Sequence, residues 1–541
     1  MMKTFALSLL TCMMSVSTFA QTWQDTLAKI ESAFSRYTPE KPGAQFTISR
    51  NGQIVFSKAW GVADLEHNVP LTTKSLLEAG SVSKQFTAAS ILLLEQQGKL
   101  SLSDDVHKYI PELPDYGTPI TLRQMMNHTS GLRDWGTVVS LTGWPRGTKT
   151  YSNEDALWVI CQQKGLNNIP GTEYIYSNTN YTLLTIIVKR VTGKELTEFT
   201  RPNIFDPAGM EQSVWRAYRN VVKGRAMAYS KAGTQYMNDM PNEDVYGHGG
   251  LLTTAEELVK WVDFYSGGKF GAPSLFPKQT ETGHFNNGVA YTYAAGLVIT
   301  KINGRNAIVH SGATASYRAN LEYYPDQGLT FALLSNTSAN DNDPTSAFSL
   351  ARNIFVPEPV PNAAKKQAVP PYPITEEKLR SYEGWYRNPR SGGGIKVALA
   401  DGKLTFVGNA TLTPIGKDLF RAENDRIEFL PGGFRHTTAD RDTIDYTAVE
   451  FANINKDSDA ARYVGEYYSE EAETRFFIEA EGTTVILVQK PNAKMTLTPL
   501  YKDGFRSPYG ALYFVRDAQN KITGFKVSLS RARNVSFIKV K

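Results

Sequence analysis

The C-terminal third of the chain repeats itself, and no other feature constrains the fold as much. Tyr382-Glu383-Gly384-Trp385-Tyr386 returns as Tyr463-Val464-Gly465-Glu466-Tyr467, 81 positions later. Leu412-Thr413-Pro414-Ile415-Gly416-Lys417-Asp418-Leu419-Phe420-Arg421 returns 85 positions later as Leu497-Thr498-Pro499-Leu500-Tyr501-Lys502-Asp503-Gly504-Phe505-Arg506, with eight of ten positions alike in character. Similarity at a fixed period marks one structural unit copied in tandem, here of about 84 residues. Strand-like runs broken by Gly, Asn and Asp make each copy a small antiparallel barrel of about eight short strands.

Six prolines (357, 359, 361, 370, 371 and 373) surround Lys365-Lys366 just before the first copy. That composition reads as a semi-rigid extended linker. The expected division is therefore 21–356 for one larger domain, 357–373 for the linker, and 374–455 and 456–541 for the barrels. Residues 1–20 read as a signal peptide. Lys3 gives a positive start, Phe5 to Val16 is apolar but too short to span a bilayer, and Thr18 and Ala20 suit cleavage before Gln21. A periplasmic or secreted protein is expected, with Cys161 its one remaining cysteine and no internal disulfide. The 58 basic and 53 acidic residues leave a charge of +5 over 541 residues, too dilute to indicate nucleic-acid binding.

Within 21–356 the pattern begins and ends in strands. Gln45 to Ser49 and Gln53 to Ala59 flank Asn51-Gly52, the pair a type I′ hairpin turn requires. A second hairpin is expected from Tyr317–Tyr324 and Leu329–Ser335 around Pro325-Asp326-Gln327-Gly328. Helical periodicity lies between them, at Val82–Gln97, Glu154–Gln163 and Tyr181–Thr192. One mixed sheet flanked by helices follows.

Three short motifs carry chemistry. In Ser81-Val82-Ser83-Lys84, a helix start places Ser81 and Lys84 one turn apart on one face. A serine becomes a nucleophile when a base takes its proton, and a lysine serves as that base once its pKa is pushed down. In Tyr176-Ser177-Asn178, the tyrosine can relay a proton and the asparagine can hold both the lysine and a substrate carbonyl. In His310-Ser311-Gly312-Ala313, on an edge strand, Gly312 admits a close substrate backbone and the Ala313 N–H can pair with that of Ser81 as an oxyanion hole. Read singly, each has a plainer account: a helix cap, an aromatic beside a loop, a histidine near a turn.

In this order and spacing, the three motifs resemble the serine β-lactamase and penicillin-binding protein superfamily, and the Tyr-x-Asn middle motif its class C branch. Met126–Leu132, Ile204–Met210, Gly247–Leu251 and Thr253–Leu258 fit the same family, so the resemblance covers roughly 25–355. It implies that Ser81 is acylated, that Lys84 and Tyr176 form the acid/base pair, and that Asn178 supports them. His128 and His248 fall in stretches that are scaffold loops in the family.

One departure is informative. Where β-lactamases carry Lys-Thr-Gly, this chain has His310-Ser311-Gly312. Histidine is mostly neutral at pH 7, so a permanent cation for anionic substrates is missing. An H-x-G motif resembles instead the D-aminopeptidases and some esterases. The D-aminopeptidases also carry two eight-stranded barrels after the catalytic domain, and a loop of the last barrel limits their substrates. Here Ser469–Glu473 and Gln489–Lys494 are the candidates for such a loop. The expected fold is multidomain: a β-lactamase/transpeptidase-like mixed α/β domain followed by two small antiparallel β-barrels.

The expected function is an exported serine hydrolase acting on a small peptide, amide or ester through an acyl-enzyme, with D-aminopeptidase-like activity first. Esterase or class C-type β-lactamase activity comes next, and a weakly catalytic protein that binds penicillin or peptidoglycan fragments is the rival from another class. Neither cofactor nor metal is expected, since H-E-x-x-H and clustered Cys/His ligands are lacking, and the lack of G-x-S-x-G speaks against an α/β-hydrolase. For assembly, a homodimer is the state to test.

Overall fold

The computed structural model describes residues 23–541 except 218, 340–343, 360–370, 409, 440 and 491–492. The segment expected to be a signal peptide, most of the expected proline-rich linker and part of Gln489–Lys494 lie outside the described residues.

The first hairpin forms as its turn residues require. Strand β1 (Ala44–Arg50) and strand β2 (Gln53–Trp60) join through Asn51 and Gly52, at φ +51° and +80°. Later come β3 (Val298–Ile302), β4 (Arg305–Thr314), β5 (Tyr317–Tyr324) and β6 (Leu329–Ser335). The six make one sheet in the order β3-β4-β5-β6-β1-β2. All its pairings are antiparallel, which corrects the mixed sheet expected above. Consecutive hairpins can only give antiparallel neighbours, and the N-terminal hairpin slots in beside the last strand.

β6 is buried throughout, and its side chains alternate between two cores. Phe331 and Leu333 meet Phe34, Phe46 and Phe348 on one face. Ala332 and Leu334 join the larger core on the other, with the buried faces of helices α1 (Lys84–Gln96), α2 (Asn178–Thr192) and α3 (Ala255–Ser266). Burial on both sides explains the unbroken apolar run of this strand.

The tail forms two closed eight-stranded antiparallel barrels. The first runs from Gly384–Arg387 to Thr443–Val449, the second from Gly465–Ser469 to Ala532–Lys539. The repeated segments occupy equivalent places down to single hydrogen bonds. Tyr386 donates to the Tyr382 carbonyl at 2.9 Å, and Tyr467 to that of Tyr463 at 2.7 Å. Tyr382 donates to Asp418 and Tyr463 to Asp503. The strand pairs beside these aspartates are irregular at Pro414/Gly416 and at Pro499/Tyr501. Among the described residues no helix is long and apolar enough to cross a membrane.

The second barrel docks on the larger N-terminal domain through its own core, which takes in Val138 and Leu141. Full burial of each such side chain contributes roughly 1.5–3 kcal/mol. A buried ion pair, Arg133–Glu471, crosses the same interface.

Candidate active site

The chain enters the site through Gly80–Ser83, a 3-10 turn, before α1 begins at Lys84. The expected helix from Val82 thus starts two residues later. Ser81 stands on the tight turn, and Lys84 opens the buried helix behind it. Lys84 Nζ lies 3.2 Å from Ser81 Oγ and donates to Asn178 Oδ1 at 2.9 Å and to the His248 carbonyl at 2.5 Å. The lysine is fully buried, and desolvation holds its pKa well below the ordinary value. The Asp134 carboxylate opposes that shift, while Arg146 and Arg531 add to it.

α2 begins at Asn178, three residues ahead of the expected start, because the Asn178 N–H donates to Asp134 Oδ2 at 2.6 Å. Tyr176 lies just before it. The Lys84 amine sits 4.8 Å from the Tyr176 ring centre, and the His128 ring packs on it with centroids 4.2 Å apart. Burial pushes the Tyr176 pKa up, an effect its interaction with Ser81 partly offsets. Its hydroxyl has no direct hydrogen bond of standard geometry.

The third motif lies on β4. This strand is second in the sheet, but β3 pairs with it only as far as Val309, so His310–Ala313 have a bare edge as expected of an edge strand. That edge runs against the Ser81 turn. A β-carbon at Gly80 would fall 2.7 Å from Ala313 N, and one at Gly312 would fall 2.1 Å from the Ala79 carbonyl and 3.1 Å from Ser81 N. Only glycine permits this approach, which brings the Ser81 and Ala313 amides to one place. His310 donates from Nδ1 to the Ser311 carbonyl at 2.6 Å and accepts the Tyr293 hydroxyl at Nε2, 3.0 Å away. Burial and the neighbouring Lys84 lower its pKa to about 4, so the ring is neutral.

All seven expected residues therefore gather around one cleft of about 480 Å³; Lys84 supports it from behind and the other six are Ser81, Tyr176, Asn178, His310, Gly312 and Ala313. The two histidines read as scaffold touch the set directly, His128 through Tyr176 and His248 through its carbonyl on Lys84. Asp134, Tyr293 and Arg531 were not foreseen. Asp134 caps the short helix Trp135–Val139, a role that an Asp before a helical run signals.

Among the described residues, the barrel loop that lines the cleft is neither of the two expected. Glu471 and Gln489 both bond to the catalytic domain, at Lys164 N (2.8 Å) and the Leu141 carbonyl (2.8 Å), but they anchor the barrel away from the nucleophile. The turn between the last two strands, Ile522–Leu529 and Ala532–Lys539, enters instead and lays Arg531 over the Tyr176 ring at 4.8 Å.

A serine beside a buried amine, in this fold, marks a serine hydrolase. The chain belongs to the Beta-lactamase family, whose model matches residues 27–354. It is 28% identical to a D-aminopeptidase of Gluconobacter oxydans over 57% of this chain and 59% of that protein, less than two-thirds of the relative's length. It is 24% identical to a D-aminopeptidase of Brucella canis over 92% and 95% of the two chains. Among solved structures, an octameric penicillin-binding protein homologue of Pyrococcus abyssi matches with a TM-score of 0.53 at 20% identity, over 87% of this chain and 99% of that one.

Proposed function

We propose that this protein is an exported amide or ester hydrolase working through an acyl-enzyme on Ser81, with a short peptide or amide bearing a D-residue as its first substrate class and esters second. The coordination of Lys84 carries the reading. A neutral amine has two N–H bonds and one lone pair. Asn178 Oδ1 and the His248 carbonyl take the two N–H bonds, which leaves the lone pair for the Ser81 hydroxyl.

Burial favours the neutral form of both Lys84 and Tyr176, so the amine is the base and the phenol the acid. Lys84 takes the Ser81 proton as Oγ bonds to the carbonyl carbon. The Ser81 and Ala313 N–H groups receive the developing oxyanion. As the bond to the leaving group breaks, Tyr176 protonates that group and recovers a proton from the Lys84 ammonium. Water then attacks the acyl-enzyme by the reverse route and releases the acid. Asn178 lines the cleft, and its amide N–H group serves a substrate carbonyl in this reading.

The D-aminopeptidase relatives support the D-residue preference, and the leader-like first twenty residues support export. The octameric relative widens the assembly question from a homodimer to oligomerisation of any order. The test offers D-alanine p-nitroanilide, p-nitrophenyl acetate and nitrocefin to the wild type and to Ser81→Ala. Turnover lost in the variant is expected. Turnover that survives it overturns Ser81 as the nucleophile, and none on any substrate overturns the hydrolase reading and favours a binding protein.

A further inference from the structure

The cleft holds a charge pattern that this chemistry leaves unused. Three arginines line it, Arg146, Arg318 and Arg531, and no Asp or Glu does. Two of them are engaged. Arg146 grips Glu243 at 2.8 and 2.6 Å, and Arg318 donates to the carbonyls of Ala315 and Tyr317 at 2.7 and 2.8 Å. Arg531 differs. Its side chain is exposed, and among the described residues no acceptor meets its guanidinium, which rests on the Tyr176 ring. Its backbone is nonetheless fixed, because the Arg531 carbonyl accepts from Asp134 N and from Asn167 Nδ2, each at 3.0 Å. The charge is thus delivered by the barrel and pinned by the catalytic domain.

The sheet edge offers no cation of its own. His310 has both nitrogens occupied, by Tyr293 and by the Ser311 carbonyl, and lacks the charge of a lysine. A guanidinium with unused donors, beside a cleft without acids, is suited to a planar carboxylate. A substrate ammonium would meet like charge there and no counter-ion. The location also sets the side. Tyr176 serves the leaving group in the mechanism above, and Arg531 lies on Tyr176.

We propose that Arg531 is a substrate-binding residue that holds a carboxylate on the leaving group, so that the enzyme prefers short amides or esters whose free carboxylate lies within about one residue of the scissile bond. This rests on the reading of Ser81 as the nucleophile.

The test compares two esters that differ only in that charge: benzoylglycyl-D-lactic acid and its methyl ester. The ratio of their kcat/KM values is measured for wild type, Arg531→Gln, Arg531→Lys and Ser81→Ala. Wild type is expected to favour the free acid, the Gln variant to lower that ratio about 10-fold or more, and the Lys variant to restore part of it. Added salt should lower the ratio in wild type more than in the Gln variant. If Arg531 only props Tyr176, both esters slow together and the ratio stays put, which overturns the proposal. Undiminished turnover in Ser81→Ala instead overturns the nucleophile. If neither ester is cleaved, calorimetry with N-acetyl-D-alanine and N-acetyl-D-alaninamide decides. A preference for the anion that Arg531→Gln removes supports the proposal, and equal binding refutes it.

Discussion

Replacing Glu471 by alanine should undock the turn that carries Arg531, although Glu471 lies outside the cleft. Glu471 and Arg133 are 3% and 4% exposed and pair across the interface between barrel and catalytic domain. Glu471 also accepts from Lys164 N at 2.8 Å and from Ser536 N at 2.7 Å. The variant leaves a buried guanidinium without its counter-charge, a loss of about 3–5 kcal/mol. Two backbone amides lose their acceptor as well, at about 1 kcal/mol or more each where water is excluded. Docking should weaken by at least about 4 kcal/mol, close to a thousandfold in the opening equilibrium. Hydrogen exchange measures this at sites that do not touch Glu471. The Asp134 amide, bonded to the Arg531 carbonyl, and the Arg533 amide, bonded to Asn167 Oδ1 at 2.7 Å, both report docking. The double variant Arg133→Met/Glu471→Met removes both charges and should exchange more slowly than the single variant, because a well-packed apolar pair replaces a buried ion pair at little cost. Exchange in Glu471→Ala within tenfold of wild type would refute the reasoning, as would a double variant worse than the single one.

Two more predictions concern the chemistry. Lys84 works as the free amine and its pKa is lowered in the folded protein, so activity is present above that lowered pKa and falls as pH drops through it. The Tyr176 pKa is raised above its ordinary 10.0, so the phenol stays protonated at neutral and mildly alkaline pH. The kcat/KM profile for a neutral ester should therefore fall on its acid side well below the ordinary lysine value of about 10.4 and show no rise centred there; a rise centred near 10.4 would sink the assignment. Gly312→Ala places a β-carbon 2.1 Å from the Ala79 carbonyl and must push the strand edge away from Ser81. Loss of one oxyanion donor costs about 10²–10³ in kcat. A variant with unchanged circular dichroism and kcat within threefold of wild type would refute that account.

The parts legible in the sequence share one property: the signal is local. Asn51-Gly52 announces its hairpin because few other pairs take two positive φ values in a row. The barrels are legible because one unit is written twice, down to the Tyr382/Asp418 and Tyr463/Asp503 contacts. Ser81, Lys84, Tyr176 and Asn178 stand out because their spacing reflects a turn of helix or a helix start. Tyr293 and Arg531 have no such marker. Tyr293 meets His310 from the far side of strand β3 in the sequence, at a separation no spacing rule covers. Arg531 sits 450 residues from Ser81 in a turn that any barrel hairpin could have. The two loops favoured from sequence were chosen within the second barrel alone, and the choice between turns is made by docking, which local patterns do not encode.

Docking also explains why the tail holds two barrels when only one supplies Arg531. Glu173, three residues before Tyr176, is bound by Arg533 of the second barrel at 2.9 Å and by Arg390 of the first at 3.1 Å. The Arg390 carbonyl in turn accepts from Asn534 Nδ2 at 2.8 Å, and Tyr501 of the second barrel donates to the Gly392 carbonyl of the first at 2.5 Å. The first barrel thus braces the hairpin turn from behind and holds the loop leading to Tyr176 from the other side. Without the first barrel, the turn would keep its bonds to Asp134 and Asn167 but lose the brace that Arg390 gives through Asn534. The two barrels together clamp at two points the distance between one guanidinium and one phenol.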